Sequence, residues 1–348
     1  MNTLKRVFES PAVLTLIHYR VVVILIATLF LSVSLVPGLT EFRTLSLSLD
    51  RTATLGVVAV GLTVVLLMGK LDLSVGSTLA LSGIATIGLQ DQLGPFGAAV
   101  AGIVVGVLAG VLNGFLVVTL QINSLVATLA SMIFLRALCH FLTDSNPISG
   151  DDPLFGLTVS RALGGTFSLR TYVFLIAILL LFIWLTYTVA GRRLYAVGSN
   201  EHAATASGIR SNRYLFGAFV FSGFTAGAAG VMQSLATNTG SPAFGEATAL
   251  TAIAAVVIGG TRLEGGRGSA LGTLGGVLVL AAITTTLEYE SVPTYYQNIV
   301  TGSILLLLIL LDRIASNSPR SALSLNSLLS FGKRDETPTE KKQEGKVP

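Results

Sequence analysis

Apolar residues run in stretches of roughly sixteen to twenty-three positions separated by short polar breaks, at 21–39, 52–69, 72–90, 96–118, 124–142, 171–190, 213–235, 248–263, 270–287 and 294–311. A helix needs about twenty apolar residues to cross about 30 Å of hydrocarbon, and each stretch reaches that length or nearly so. The pattern predicts an all-α polytopic membrane protein of about ten transmembrane helices. One break differs from the rest. Between Gly191 and Ile209 the chain turns hydrophilic and alanine-rich, with Arg192 and Arg193 at its head. Ser199 or Asn200 can cap a helix start there, the alanines continue it, and Gly208 can close it in the left-handed conformation. A short, capped, positively flanked helix between membrane segments is a docking element.

Two glycine series have a spacing of four: Gly102, Gly106, Gly110 and Gly114 in the fourth stretch, and Gly268, Gly272 and Gly276 at the start of the ninth. That spacing lines one helix face with hydrogen atoms and lets a neighbouring backbone approach, which is how helices gain packing energy in lipid. Each series follows a shorter, glycine-broken stretch, from Asp72 and from Ala247. With about ten spans the third and eighth run in opposite directions, as do the fourth and ninth. The pattern therefore predicts an inverted internal repeat with broken helices at matching places.

Charge orients this scheme. Taking the N-terminus as cytoplasmic, the inward breaks hold Lys70, Arg192, Arg193, Arg210, Arg213, Arg262 and Arg267, and the basic tail follows them. The outward breaks hold Asp91, Asp144, Asp151, Asp152, Glu246, Glu288 and Glu290 against Arg43, Arg51, Arg161 and Arg170. The positive-inside rule then places both termini and the island at 191–213 in the cytoplasm. The expected division is a cytoplasmic N-terminus at 1–20, a membrane domain at 21–313 and a partly disordered cytoplasmic tail at 314–348. Lys5 and Arg6 before an apolar run resemble a signal peptide, but the many spans that follow favour an uncleaved first helix. Charged residues are 11% of the chain, against about 25% in soluble proteins. The basic residues lie in short loops rather than along one face, which argues against nucleic acid. The lone Cys139 lies in an apolar run and has packing as its default role.

Candidate chemistry is sparse. His18, His140 and His202 lack metal-ligand spacing, and no catalytic constellation stands out. The run from Gly259 to Gly268 lacks the Gly-Lys-Ser/Thr ending of a phosphate loop and reads as a tight turn. Arg136 is either a snorkelling or helix-paired structural residue or a functional intramembrane charge. Asp72 is explained by capping a helix start. Without a carboxylate or histidine relay, an ion-driven secondary transporter is the weaker alternative, and an intramembrane enzyme weaker still. The amides Asn113, Gln121, Asn123, Asn238, Gln297 and Asn298 both donate and accept, which suits sugar hydroxyls on a translocation pathway; each is equally a helix-packing hydrogen bond.

The stretches Ala59-Val60-Gly61-Leu62-Thr63-Val64-Val65, Leu71-Asp72-Leu73-Ser74-Val75-Gly76-Ser77, Leu112-Asn113-Gly114 and Ala127-Thr128-Leu129 occur in order along the chain. They are followed by Leu194-Tyr195-Ala196-Val197-Gly198-Ser199-Asn200, Ser207-Gly208-Ile209, Ala252 to Thr261, and Tyr295-Tyr296-Gln297. Together they resemble the ribose-type sugar permeases of bacterial ABC importers, a family with autoinducer-2, galactoside, rhamnose and polyol members. The resemblance implies a type II importer-like fold and a permease that pairs with a second permease, identical or related. It also implies an ATPase with tandem nucleotide-binding domains, which holds ATP and magnesium, and a periplasmic solute-binding protein; this chain itself would bind no cofactor and catalyse nothing. Within that scheme Ser199, Asn200, Glu201, His202, Ala203, Ala204, Ser207 and Gly208 form the coupling helix. Two places depart from the family: Gly69-Lys70-Leu71 adds a charge before the Asp-Leu-Ser-Val-Gly motif, and Glu246-Ala247-Thr248-Ala249-Leu250-Thr251 lacks the acid usual just before Ala252.

Overall fold

The structure, a computed structural model, describes residues 20–35, 38, 40–150, 162–163 and 167–316. The basic N-terminal stretch at Lys5 and Arg6, the loop residues Asp151, Asp152, Arg161, Gly164 and Gly165, and the tail from 317 lie outside the described residues. Leu306–Pro348 forms a unit of its own.

The described helices follow the apolar stretches. They are α1 (Arg20–Leu35), α2 (Phe42–Leu67), α3 (Val75–Gly88), α4 (Gln90–Gly114), α5 (Ser124–Leu142) and α6 (Leu169–Tyr187). After them come α7 (Val189–Ser199), α8 (Glu201–Ala206), α9 (Ser211–Thr237), α10 (Thr248–Ile258), α11 (Ala270–Tyr289) and α12 (Thr294–Ser316). Six of these are long and apolar enough to cross a membrane: α2, α4 with its extension to Thr119, α5, α6, α9 and α11. The protein is thus an all-α polytopic membrane protein; among the described residues the exceptions are four two-residue strands, β1 (Ile148–Ser149), β2 (Ala162–Leu163), β3 (Phe167–Ser168) and β4 (Thr239–Gly240). β1 pairs antiparallel with β4, and β2 with β3.

Helix α2 is buried along most of its second half, from Thr52 to Leu67, while α5 and α6 keep large apolar side chains such as Ile133, Phe134, Ile176 and Leu180 exposed. A helix that is apolar all round belongs in the middle of a bundle. Helix α9 is its close partner, and small residues bring the two backbones together. A Cβ at Gly61 would overlap the Thr225 hydroxyl and meet the Ser222 Cα at 3.0 Å. The Thr63 and Thr273 hydroxyls, 2.7 Å apart, tie α2 to α11 in the interior.

The first glycine series is a packing face. Gly106 and Gly110 of α4 lie against Gly223 and Gly227 of α9, backbone on backbone, while Gly102 sits against Thr86 and Val231 and Gly114 against the Phe216 ring. In the second series Gly272 meets Gly259 and Gly276 meets the Ala255 carbonyl, which packs α11 on α10. Gly268 departs from the expectation: it precedes α11, which starts at Ala270, and abuts the Thr261 side chain in the turn before it.

The third and eighth stretches yield short helices, of 14 residues in α3 and 11 in α10, each preceded by an irregular lead-in. These lead-ins, residues 68–74 and 241–247, come from opposite ends of the bundle and converge where Gly76 meets Gly245. Gly88, at the far end of α3, neighbours Ile148 of β1. The Gly76–Gly245 contact therefore lies about 18 Å along α3 from that end, about twelve residues at 1.5 Å each. Glu246 was expected in a loop at the acidic end; the lead-in instead carries it about this far along the bundle axis, where it is exposed, because Gly245 adopts a φ of +75° and folds the chain against α3.

Candidate functional site

Lys70, Glu201 and the basic turn at 262–267 meet at one end of the bundle, where the hydrophilic island forms two helices rather than one. Thr188 caps α7 by accepting from the Gly191 N–H at 3.0 Å. Asn200, not Ser199, caps α8 by accepting from the Ala203 N–H at 2.9 Å. At the far end of α8 the Gly208 N–H donates to the Thr205 carbonyl at 2.9 Å and the Ile209 N–H to the Ala204 carbonyl at 3.0 Å. With Gly208 at φ +82°, these bonds make a Schellman closure, which satisfies carbonyls a six-residue helix would otherwise leave bare.

The result is a ridge. Glu201, His202, Ala203, Thr205, Ala206, Ser207 and Gly208 are exposed, while Ala204 is 5% exposed and faces the protein. Ala204 is thus an anchor of α8 and not part of its outer surface.

The foot of the ridge is keyed into two remote stretches. A Cβ at Gly198 would overlap the Leu67 carbonyl at the end of α2, and one at Gly265 would crowd the Gly69 N–H and the Gly198 carbonyl. The Gly266 N–H donates to the Leu67 carbonyl at 2.9 Å, and a Cβ at Gly266 would strike Ser199. The Tyr195 hydroxyl donates to the Gly268 carbonyl at 2.8 Å, and burial pushes its pKa up, which keeps the phenol a donor. The run from Gly259 to Gly268 is the expected tight turn, closed by the Arg262 N–H donating to the Arg267 carbonyl at 2.9 Å. Lys70 reaches Glu201 at 3.9 Å, a partly exposed pair worth no more than about 0.5 kcal/mol. It marks contact between α8 and the lead-in to α3 more than it stabilises either. A polar cavity of about 320 Å³ opens beside it, lined by Lys70, Gln121, Asn123, Glu201 and Asn212.

Deeper in, Asp72 is 1% exposed. One carboxylate oxygen accepts from the Ser74 N–H at 3.0 Å and the Ser74 hydroxyl at 2.7 Å; the other accepts from the Ser222 hydroxyl of α9 at 2.8 Å. Asn113 of α4 donates to the Ser74 oxygen at 2.7 Å. Capping was the expected role for Asp72. It instead forms an Asx turn just before α3 and staples the lead-in to α9 and, through Ser74, to α4. Arg136 on α5 donates to the Pro242 carbonyl and, at 2.7 Å, to the Phe244 carbonyl, so it is helix-paired to the lead-in of α10.

The amides singled out in the sequence do not gather into one lining. Asn113 belongs to the Asp72 cluster. Asn123 caps α5 by accepting from the Leu125 N–H. Asn238, left-handed at the end of α9, donates to the Gly150 carbonyl at 2.7 Å. Gln297 donates to the Val292 carbonyl at 3.0 Å, and Asn298 is exposed on α12. Gly198, Gly265, Gly266 and Tyr195 escape sequence reasoning as functional residues; their small-residue clustering at two hydrophilic breaks was the available signal.

The family described as branched-chain amino acid transport system / permease component matches residues 44–309. The ribose import permease protein RbsC of Bacillus subtilis is 38% identical over 76% of this chain and 83% of its own length. The inner membrane ABC transporter permease protein YjfF of Escherichia coli is 34% identical over 80% of this chain and 86% of its own. The L-arabinose ABC transporter permease protein AraH of Azospirillum brasilense is 32% identical over 88% and 91%. No solved structure matches the chain.

Proposed function

The chain belongs to the branched-chain amino acid transport system / permease component family, and on that premise we propose that it is the membrane subunit of an ATP-driven importer for a sugar or related polyhydroxylated solute. Although the family description mentions amino acids, relatives that match along most of their length are named for ribose and L-arabinose, which favours a sugar. The observation that carries the coupling half of the proposal is the α8 ridge: a helix capped at both ends, exposed on its outer face and locked at its foot to the end of α2 and the turn after α10.

In this reading α1–α6 and α9–α12 make ten spans, with α2–α5 and α9–α12 as inverted halves, and 21–313 is the membrane domain. The basic end, both termini and the 191–213 loop face the cytoplasm of a bacterial inner membrane, and 314–348 is a cytoplasmic tail. Ser199, Asn200, Glu201, His202, Ala203, Ser207 and Gly208 meet an ATPase with tandem nucleotide-binding domains, which holds the ATP and magnesium. A periplasmic binding protein delivers the solute at the acidic end, and a second permease completes the pathway. Closure of the ATPase moves α8, and the glycine contacts at Gly198, Gly265 and Gly266 pass that motion to α2 and to the α10–α11 turn, because backbone in contact with backbone leaves no slack.

The test compares two neighbouring alanines. Ala203→Glu, on the exposed face, is expected to leave the melting temperature of the purified permease unchanged while abolishing co-purification of the ATPase and ATP-dependent uptake. Ala204→Glu buries a charge and is expected to destabilise the ridge itself. Normal uptake by the Ala203 variant would remove α8 from the coupling role.

A further inference from the structure

A cavity of about 440 Å³ lies where the lead-ins of α3 and α10 converge, between the start of α3, the α5 helix and the start of α10. Most of its wall is apolar, including Met132, Ile133 and Ala137, and its polar groups are few: Ser77, Arg136, His140 and Glu246. Such a ratio, apolar walls with a small number of convergent polar groups, is that of a site for a small molecule.

The depth of its charges along the bundle axis sets this cavity apart. Arg136 is half-buried and Glu246 is exposed, and both lie far along the bundle from the Gly88 end, since Gly245 touches the second residue of α3. Ionisable groups at such depth are costly and are kept for a purpose. For Arg136 part of the purpose is visible: it donates to two carbonyls of the α10 lead-in. A guanidinium carries five N–H donors, so donors remain beyond those two. Glu246 has no comparable duty in holding the lead-in, whose turn is closed by the Phe244 N–H donating to the Ser241 carbonyl and the Thr248 N–H to the Gly245 carbonyl. An anionic acceptor on the lead-in of α10 and a cationic donor on α5 leave the cavity close to neutral overall. They match the alternating donors and acceptors of adjacent hydroxyl groups, while the methyl and thioether surfaces of Ile133 and Met132 suit the C–H face of a sugar ring.

We propose that this cavity is a binding station for a neutral sugar on the translocation route, with Glu246 and Arg136 hydrogen-bonding its hydroxyls and Glu246 setting which sugar is preferred. The inference rests on the importer reading above.

The experiment reconstitutes the chain with its own ATPase and binding protein in proteoliposomes and follows ATP-dependent uptake of radiolabelled D-ribose, L-arabinose and L-leucine. Glu246→Gln is expected to lower uptake of the preferred sugar about tenfold, the loss of one charged hydrogen bond, and to alter the ribose-to-arabinose ratio. Ala137→Trp, at an exposed wall position, is expected to block uptake while the complex assembles and melts as the parent does. Wild-type sugar uptake with both variants transporting at the parental rate and ratio overturns the binding station and leaves the importer reading standing. Uptake of leucine alone overturns both, and where none of the three is carried the same comparison is made with the pentose, hexose or polyol that the binding protein retains.

Discussion

The two broken helices solve one problem with opposite charges. Irregular backbone inside a membrane leaves both N–H and C=O groups in need of partners, and it is tolerated only where protein supplies them. At the lead-in to α3 the supply is an anion: Asp72 accepts from the Ser74 N–H, the Ser74 hydroxyl and the Ser222 hydroxyl. At the lead-in to α10 it is a cation, Arg136, donating to the carbonyls of Pro242 and Phe244. The settings differ as well. Side chains on α5 also bind the first lead-in, Ser124 accepting from the Leu71 N–H and Thr128 from the Leu73 N–H, and Asp72 and Ser74 are buried. The second is more exposed, at Ala243, Glu246 and Ala247; cavities adjoin both, those of about 320 and 440 Å³ reaching Lys70 and Leu73 of the first, and those of about 440 and 220 Å³ reaching Gly245 of the second. One lead-in is buried and clamped from two helices, and the other is more open and held by a single side chain from α5.

The comparison breaks most severely where the lead-ins touch. Gly76→Ala places a methyl group into the Gly245 carbonyl, and backbone on both sides leaves nothing flexible to yield. A loss of at least ~3 kcal/mol is expected, read as failure to purify a monodisperse protein or as a large drop in melting temperature. Asp72→Ala comes next. It strands two hydroxyls and an N–H in the interior, for a loss of about 3 kcal/mol, whereas Asp72→Asn keeps one acceptor and recovers most of it; thermal unfolding of the three proteins side by side measures the difference. Arg136→Ala is expected to cost less, about 2 kcal/mol, since water in the adjoining cavity can reach the released carbonyls. An Arg136 variant less stable than the Asp72 variant would reverse the division into a clamped and an open lead-in.

How far the sequence foretold this depends on the reach of each interaction. The α8 helix was legible because its cap, its alanines and Gly208 follow one another closely in the chain, and local backbone rules decide their geometry. The glycine series on α4 was legible for a similar reason, since a spacing of four fixes a helix face whatever lies opposite. Asp72 reads as a cap because its nearest neighbours allow that role; its partner Ser222 lies 150 residues further on, beyond any local rule. Arg136 fits either of two roles in its own surroundings, and its carbonyl partners are 106 and 108 residues away. The depth of Glu246 is hidden because hydropathy counts residues and not direction. A lead-in that dips into the bundle and returns as a short helix reads as a loop followed by a span. The amides were the weakest guide. An amide serves a backbone carbonyl as readily as a ligand, and Asn238 and Gln297 do so here.

The glycine contacts at the foot of the ridge carry a consequence for how such a protein can vary over generations. Gly198, Gly265 and Gly266 touch one another's stretches and the Leu67–Gly69 corner, so a side chain introduced at any of them must be answered by changes in parts of the gene encoding residues far away in the chain. A single substitution there is expected to destabilise the fold. The outward positions of α8 meet no such demand, because their neighbours within the chain leave them exposed. Variation is therefore expected to be narrow at the foot and wide at the crest, where a change need only suit the surface the crest meets.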